Sequence, residues 1–444
     1  MCDSRTAAFN VLYDIEKNNA YSNLSLNKTI KENSLSSADS AFACAVVYGV
    51  LERRITLDFI IRQYTRNTPL RKIETRTLII LRMGFYQLLY MDKVPDSAAV
   101  NESVKLAKKL GLQKSSGFIN AVMREFLRNG RRYSPPQENS LQRLSVEYSC
   151  PQELISLWQK DYGDENTQSI LQSLAGRPEL SIRVNTLKTD SCSLRRRLAD
   201  ENIIADECSF LENALQIEDA GSLESVPAFK NGEFYVQDVS SQLCVHFLNP
   251  KAGEVLLDVC CAPGGKAFTS AQYMENTGEI YACDIHPHKV KLVEKTAEKL
   301  GVTIIKARIH DAAEPRNPGF KADKVLCDVP CSGLGVLRRK PEIRYKKDFN
   351  IEQLSALQYK ILQNNSKYVA QGGLLVYSTC TLNRLENNVN ADRFLAENKD
   401  FAAYPLPLPN GIERRTGEKE NQLTLFPGVY GSDGFFISAF KRRA

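Results

Sequence analysis

Two short strings in the C-terminal half of the chain put thiols where thiols can react: Asp328-Val329-Pro330-Cys331 and Ser378-Thr379-Cys380-Thr381. Each cysteine follows an apolar run that predicts a buried strand, and each is flanked by turn or polar residues. A thiol at a strand end, open to a cleft, is a candidate nucleophile; one inside an apolar strand is a small hydrophobe. Cys260, Cys261, Cys283 and Cys327 lie within or beside apolar strands and fit the second description.

Paired thiols suit a particular chemistry. C5 of a pyrimidine is a poor nucleophile, but a thiolate added at C6 makes C5 enamine-like and able to attack an electrophilic methyl group. The C5 proton must then leave and the sulfur must be expelled. Cys331 and Cys380 supply two sulfurs. Asp328 supplies a carboxyl group that, if protonated, donates to N3 of the ring. Residue chemistry alone leaves open which thiol attacks.

Seventy residues upstream, Val255-Leu256-Leu257-Asp258-Val259-Cys260-Cys261-Ala262-Pro263-Gly264-Gly265-Lys266 predicts a strand running into a glycine turn. Gly264 and Gly265 let the backbone approach a ligand closely. Asp284 ends the next strand, 19 residues after Gly265, where a carboxylate suits ribose hydroxyls. Asp311, past the third strand, is placed either to accept from an adenine amino group or to face water. The string is not G-x-G-x-x-G, which argues against a nicotinamide cofactor.

These groups need a scaffold, and the remaining sequence supplies one. From about 236, strands near 255–260, 279–284, 303–308, 323–329 and 373–378 alternate with helical patterns at 286–300, 352–369 and 385–397. That alternation predicts a doubly wound parallel sheet. Two last strands, near 422–426 and 434–440, are joined by too short a connection to be parallel, so they form an antiparallel pair. Residues 1–133 predict an all-helical domain. Leu78, Leu81, Phe85, Leu88 and Leu89 share one helical face, and further helices fall at 5–18 and 39–63. Asp96 or Ser97 can cap a helix that stops at Gly111, and Ser116 can cap one over 118–127. Ser134-Pro135-Pro136-Gln137 reads as a linker. Residues 134–235 then form a small α+β domain, with strands at 180–185 and 214–218 and a helix from Leu194 to Asp200. The catalytic domain covers 236–444.

The totals agree. The 444 residues predict two or three domains, and the net charge of +6 permits a polyanionic partner without demanding one. Twelve scattered cysteines without a C-x-x-C pair, and only four histidines, predict free thiols in a reducing cytoplasm and no metal site. The N-terminus, from Met1 and Cys2 into a mixed polar helix pattern, has no apolar signal region, and no apolar stretch predicts a membrane span. Arg131-Arg132, Arg195-Arg196-Arg197 and Arg338-Arg339-Lys340 are the denser basic groups. The last follows Cys331 closely enough to meet a phosphate backbone.

The C-terminal half resembles the RNA cytosine-C5 methyltransferases that use S-adenosyl-L-methionine. Cys260 to Lys266 is similar to their cofactor loop, Asp328-Val329-Pro330-Cys331 to their Pro-Cys motif and Thr379-Cys380 to their Thr-Cys motif. Residues 5–130 resemble the helical domain of the antitermination factor NusB, and Phe234 to Gln242 resembles the start of the family's catalytic domain. The resemblance implies a NusB-like domain, a small α+β domain and a Rossmann-like class I methyltransferase sheet with an antiparallel last strand. It implies Cys380 as the nucleophile, Cys331 in product release and Asp328 in contact with the base or cofactor. It also implies cofactor binding by Cys260, Cys261, Ala262, Pro263, Gly264, Gly265, Lys266, Asp284, Asp311 and Asp328. The implied partner is 16S ribosomal RNA, presenting a loop or flipped cytosine, naked or in a small-subunit assembly intermediate, to a monomeric enzyme. Cys261 stands where the family commonly has alanine, and Ala267 where it has threonine. Two other readings compete: an RNA-binding assembly factor with a vestigial catalytic fold, against which the retained cysteines speak, and a nicotinamide oxidoreductase.

Overall fold

Leu78, Leu81, Phe85 and Leu88, spaced to share one face, are buried in the helix Thr75–Tyr90. The helices Ser4–Asn18, Ser22–Asn33, Ser37–Glu52, Arg54–Tyr64, Asp96–Lys109 and Gln113–Arg128 share its core. In this computed structural model residues 3–444 are described, apart from 66, 67, 139, 177, 219, 220, 316–318 and 347. The expected start at Met1 and Cys2 lies outside the described residues. Contacts divide the chain into two compact units, Met1–Gly176 with Leu337–Lys347, and Arg177–Val336 with Asp348–Ala444.

Among the described residues every regular element of the first unit is a helix. The single helix expected over 39–63 is two, because Arg53 leaves helical geometry (φ −109°, ψ 14°). Ser116 is not a cap: its helix begins earlier, at Gln113, and its hydroxyl donates to the Gln113 carbonyl at 2.7 Å. Neither Asp96 nor Ser97 caps the preceding helix, Asp96–Lys109, whose cap position is Pro95. Arg82, buried on its helix, reaches both oxygens of Asp58 at 2.7 and 2.8 Å and Glu16 at 3.4 Å. Residues 337–347 belong here as well. The buried Arg344 donates to the Ser149 carbonyl at 3.2 Å, and Glu342 accepts from the Ser22 hydroxyl at 2.8 Å.

The second unit holds two sheets. The smaller joins β1 (Leu180–Val184), β2 (Ile204–Glu207), β3 (Ala214–Glu218) and β4 (Phe234–Val236) in the order β2-β3-β1-β4, with every pairing antiparallel. The larger comprises β5 (Val255–Asp258), β6 (Glu279–Asp284), β7 (Ile305–Ile309), β8 (Ala322–Asp328), β9 (Val369–Thr379), β10 (Phe401–Ala403), β11 (Gln422–Leu425) and β12 (Phe435–Arg442). Its order is β10-β12-β9-β8-β5-β6-β7, and β11 pairs with β12. Strands β9, β8, β5, β6 and β7 run parallel; β12 lies antiparallel to β9. The apolar runs read from the sequence are these strands, and the expected antiparallel pair is β11 with β12. The chain winds outward through β6 and β7 and returns to β8 on the other flank of β5. Ligands bind at such a reversal, beyond the carboxyl ends of the strands.

Removing Arg82 strands the Asp58 carboxylate, whereas Glu16 keeps Arg54 at 2.9 Å. Arg82→Ala should cost on the order of 3 kcal/mol, measurable as a lower urea midpoint with an unchanged slope.

Candidate active site

Strand pairing decides which groups meet. Asp258 ends β5, Asp284 ends β6, Asp328 ends β8 and Thr379 ends β9. In the parallel register Asp258 lies beside Leu326 and Asp328 beside Ser378. One edge of the sheet therefore carries the cofactor loop, the acids and both reactive thiols.

Gly264 turns the chain from β5 into the helix Gly265–Tyr273 with φ +107°, a conformation that favours glycine. A Cβ there would lie 2.5 Å from the Phe268 ring. The Gly264 N–H donates to the Cys261 carbonyl at 2.7 Å, and the Cys261 N–H to the Cys283 carbonyl at 2.8 Å, pinning the loop to β6. Cys261 is buried, so it offers the loop its backbone and not its thiol; Cys260 is partly buried, and Pro263 is exposed. Asp284, also buried, accepts from the His286 N–H at 2.9 Å and has Lys289 at 3.7 Å. Asp311 commits one oxygen to the Ala313 N–H at 2.9 Å.

Asp258 went unassigned in the sequence reading, because a strand-end acid inside an apolar run looks like a simple boundary. It is 1% exposed, and neither carboxylate oxygen has a full hydrogen bond. Burial, then the nearby Asp328 charge, push its pKa up to about 7, with Lys266 and the Cys260 N–H offsetting only part. An orphaned acid under a glycine turn suits a cationic ligand, and S-adenosylmethionine carries both a sulfonium and an ammonium. The residues present therefore fit that group. Asp258, the backbone from Cys260 to Gly265, Asp284 and Asp311 would hold it.

The two thiols meet. The sulfurs of Cys331 and Cys380, 49 residues apart, lie 3.3 Å from each other. Hydrogen bonding to Cys380, reinforced by burial, holds the Cys331 thiol well above its ordinary pKa. The other strand cysteines are inert by burial: Cys327 is raised and Cys283 is pushed up to about 12. Asp328 accepts from the Ser378 hydroxyl at 2.8 Å and lies 2.7 Å from the Lys266 ammonium. Burial works against the Lys266 charge, but the Asp328 carboxylate outweighs it and raises the ammonium pKa. Lys266 thus aims its side chain at the acid of the Pro-Cys string, although its backbone belongs to the cofactor loop.

Two basic groups have partners in the fold. Arg195 pairs with Glu207 at 3.1 Å, Arg197 with Glu233 at 2.8 Å, and Arg131 donates to the Leu88 carbonyl at 2.6 Å. Among the described residues no cluster of three or more His, Cys, Asp or Glu could hold a metal, and no helix is long and apolar enough to cross a membrane.

A wound parallel sheet with a glycine loop after its first strand, an acid ending its second and two facing thiols beside them defines an S-adenosylmethionine-dependent methyltransferase. Comparison with known proteins narrows the class. Residues 245–441 match the family model for 16S rRNA methyltransferase RsmB/F, residues 3–128 the NusB family, and residues 150–224 the ferredoxin-like domain of RsmF/B-like methyltransferases. The probable ribosomal RNA small subunit methyltransferase B of Bacillus subtilis is 37% identical, over 99% of this chain and 98% of its own. Its Synechocystis counterpart is 34% identical over the whole of both chains. Among solved structures, a methyltransferase homolog from Pyrococcus horikoshii matches with TM-score 0.60 and 27% identity, over 69% of this chain and 100% of that one. The chain belongs to the 16S rRNA methyltransferase RsmB/F family.

Because the folded-state pKa of Asp258 is raised, the folded protein binds a proton that the unfolded chain releases near its ordinary pKa. Stability is therefore lost as pH rises from about 4 to about 7. Asp258→Asn should melt later than the parent at pH 8, by up to about 4 kcal/mol, and the gap should close as pH falls toward about 4. The same variant should bind S-adenosylmethionine roughly tenfold more weakly by calorimetry.

Proposed function

We propose that this enzyme transfers a methyl group from S-adenosylmethionine to C5 of a specific cytosine in 16S ribosomal RNA, through a transient bond between the Cys380 sulfur and C6 of the base. The 3.3 Å approach of Cys331 and Cys380 carries the reading. Two thiols so close, beside a cofactor loop, are what addition and elimination at one pyrimidine require.

The roles of the sulfurs are those the family resemblance implies: Cys380 is the nucleophile and Cys331 assists release. The raised Cys331 pKa keeps that thiol protonated beside Cys380. Cys380 adds to C6, and C5 becomes nucleophilic. The bound cofactor supplies the methyl group that C5 takes. Once the Cys380 sulfur is bonded to carbon, it no longer accepts strongly from Cys331, and the largest cause of the raised Cys331 pKa is gone. Cys331 passes its own proton to solvent and takes the C5 proton as a thiolate; the C5–H electrons form the C5–C6 double bond, and the C6–S pair returns to Cys380. Asp328, placed by Lys266 and the Ser378 hydroxyl, accepts from the exocyclic amino group of cytosine.

The target base must leave its stack to reach strand-end thiols, so the substrate is a loop or flipped cytosine. We take the enzyme to act in the cytoplasm as a monomer, on naked 16S rRNA or on an assembly intermediate. Bisulfite sequencing of rRNA from cells lacking the gene should find one cytosine that has lost its protection.

Cys380→Ala should abolish methyl incorporation from labelled cofactor. Cys331→Ala should accumulate a protein–RNA band that survives denaturant, and the double variant should not. Full turnover by Cys331→Ala would remove its assigned role.

A further inference from the structure

Glu386 is completely buried, yet its hydrogen-bond partners are neutral groups. One oxygen accepts from the Ser332 N–H at 2.9 Å and the Gln358 side-chain amide at 2.8 Å; the other accepts from the Ser332 hydroxyl. A buried carboxylate without a cation is an expensive way to fill a core, so stability alone does not account for it.

What it provides is direction. A carboxylate only accepts, so the Ser332 proton is committed to Glu386. The Ser332 oxygen lies 2.6 Å from the Thr381 hydroxyl, which must therefore be the donor in that pair. The Thr381 oxygen in turn accepts from the Leu334 N–H at 3.1 Å. Ser332 follows Cys331 in the chain, and Thr381 follows Cys380. The relay consequently joins the residues next to the two sulfurs. Gln358 fixes the other side of Cys331, donating to the Pro330 carbonyl at 3.0 Å. The loops also touch through backbone: Gly335 N–H donates to the Cys380 carbonyl at 3.0 Å, and a Cβ on Gly335 would lie 2.9 Å from that oxygen. The negative charge of Glu386 also contributes to holding Cys331 as a thiol.

We propose that Glu386 is a positioning residue for methyl transfer, its carboxylate fixing the loop of Cys331 onto the loop of Cys380 so that both sulfurs face one substrate. The inference rests on the proposed reaction, and it deepens that reading by naming what sets the spacing. Glu386→Gln places an amide N–H against donors that a carboxylate satisfies. Ser332→Ala cuts the same relay with a one-atom change that spares the buried charge.

The sulfur spacing is readable without any substrate. Diamide removes two electrons and two protons from a pair of neighbouring thiols and leaves an S–S bond. In the full-length wild-type protein, mass spectrometry should find the peptides of Cys331 and Cys380 joined rapidly. Glu386→Gln and Ser332→Ala should form that bond about tenfold or more slowly. Their affinity for S-adenosylmethionine should stay within about twofold, since the relay lies on the thiol side of the cleft. In single turnovers on RNA carrying 5-fluorocytidine, both variants should form the covalent adduct at a similarly reduced rate. If Glu386→Gln does not fold, Ser332→Ala carries the test. Wild-type rates of disulfide formation in Ser332→Ala, or no disulfide in the wild type, would overturn the proposal. So would a loss of adduct formation that merely tracks loss of cofactor binding. A wild type that forms the disulfide but no RNA adduct would instead sink the proposed reaction and leave the positioning role standing.

Discussion

The parallel pairing of β8 with β9 is the constraint on which the rest of this site depends. Five register pairs run from Lys324 beside Leu374 to Asp328 beside Ser378, and the two chains leave the sheet at the same edge. Without that pairing Cys331 and Cys380 are unrelated cysteines on separate loops. A shift of one residue in either strand would turn the terminal side chains to opposite faces of the sheet, because side chains alternate. The sheet core guards the register: Val325, Cys327, Leu375 and Tyr377 are buried in one cluster, and Leu326 and Val376 in another on the opposite face.

Charge is distributed along the same edge with a deficit of cations. Asp258, Asp284 and Asp328 end three strands, and each is close enough to disturb its neighbours, as the raised Asp258 pKa reflects. Lys266 lies against Asp328 and Lys289 3.7 Å from Asp284, which leaves Asp258. The protein thus leaves a negative hollow at the switch point of the sheet, where a cationic methyl donor relieves strain that the folded chain otherwise bears. A donor held at Asp258 would couple binding to folding.

Much of this was legible in the sequence, for physical reasons that also explain what was not. Buried parallel strands are short apolar runs, so β5, β6, β8 and β9 announce themselves, and so do the polar residues at which they stop. β2 and β4 gave no such signal, because Ile204–Glu207 is mostly exposed and Phe234–Val236 is only three residues long. Cap residues misled at Ser97 and Ser116, where a hydroxyl near a helix start bonds elsewhere or the helix begins sooner. The segment 337–347 is the larger surprise. It follows the Pro-Cys string in sequence, yet Arg344 and Glu342 make their bonds to Ser149 and Ser22. No local pattern encodes a partner 195 or 320 residues away. Asp258 and Glu386 escaped for a related reason: a lone acid becomes informative only when its burial and its partners are known.

The two thiols look equivalent in the sequence, and a site with equivalent thiols would misfire. Either sulfur could attack, and the one left over would be as often a thiolate as an acid. The surroundings of Cys331 break that symmetry. Lys266, the ammonium at this edge, is spent on Asp328. A second cation beneath Cys331 would lower its pKa and create a competing nucleophile. Glu386 does the reverse, because a fixed negative charge beside Cys331 raises the cost of placing another there. In the proposed reaction the electron pair settles on Cys380 before addition and the proton stays on Cys331. After addition the Cys380 sulfur is bonded to carbon, and Cys331 loses that acceptor and can release its proton to solvent. On the proposed reading, one buried carboxylate and one shared proton are enough to make the same pair of sulfurs act first as attacker and donor, then as leaving group and base.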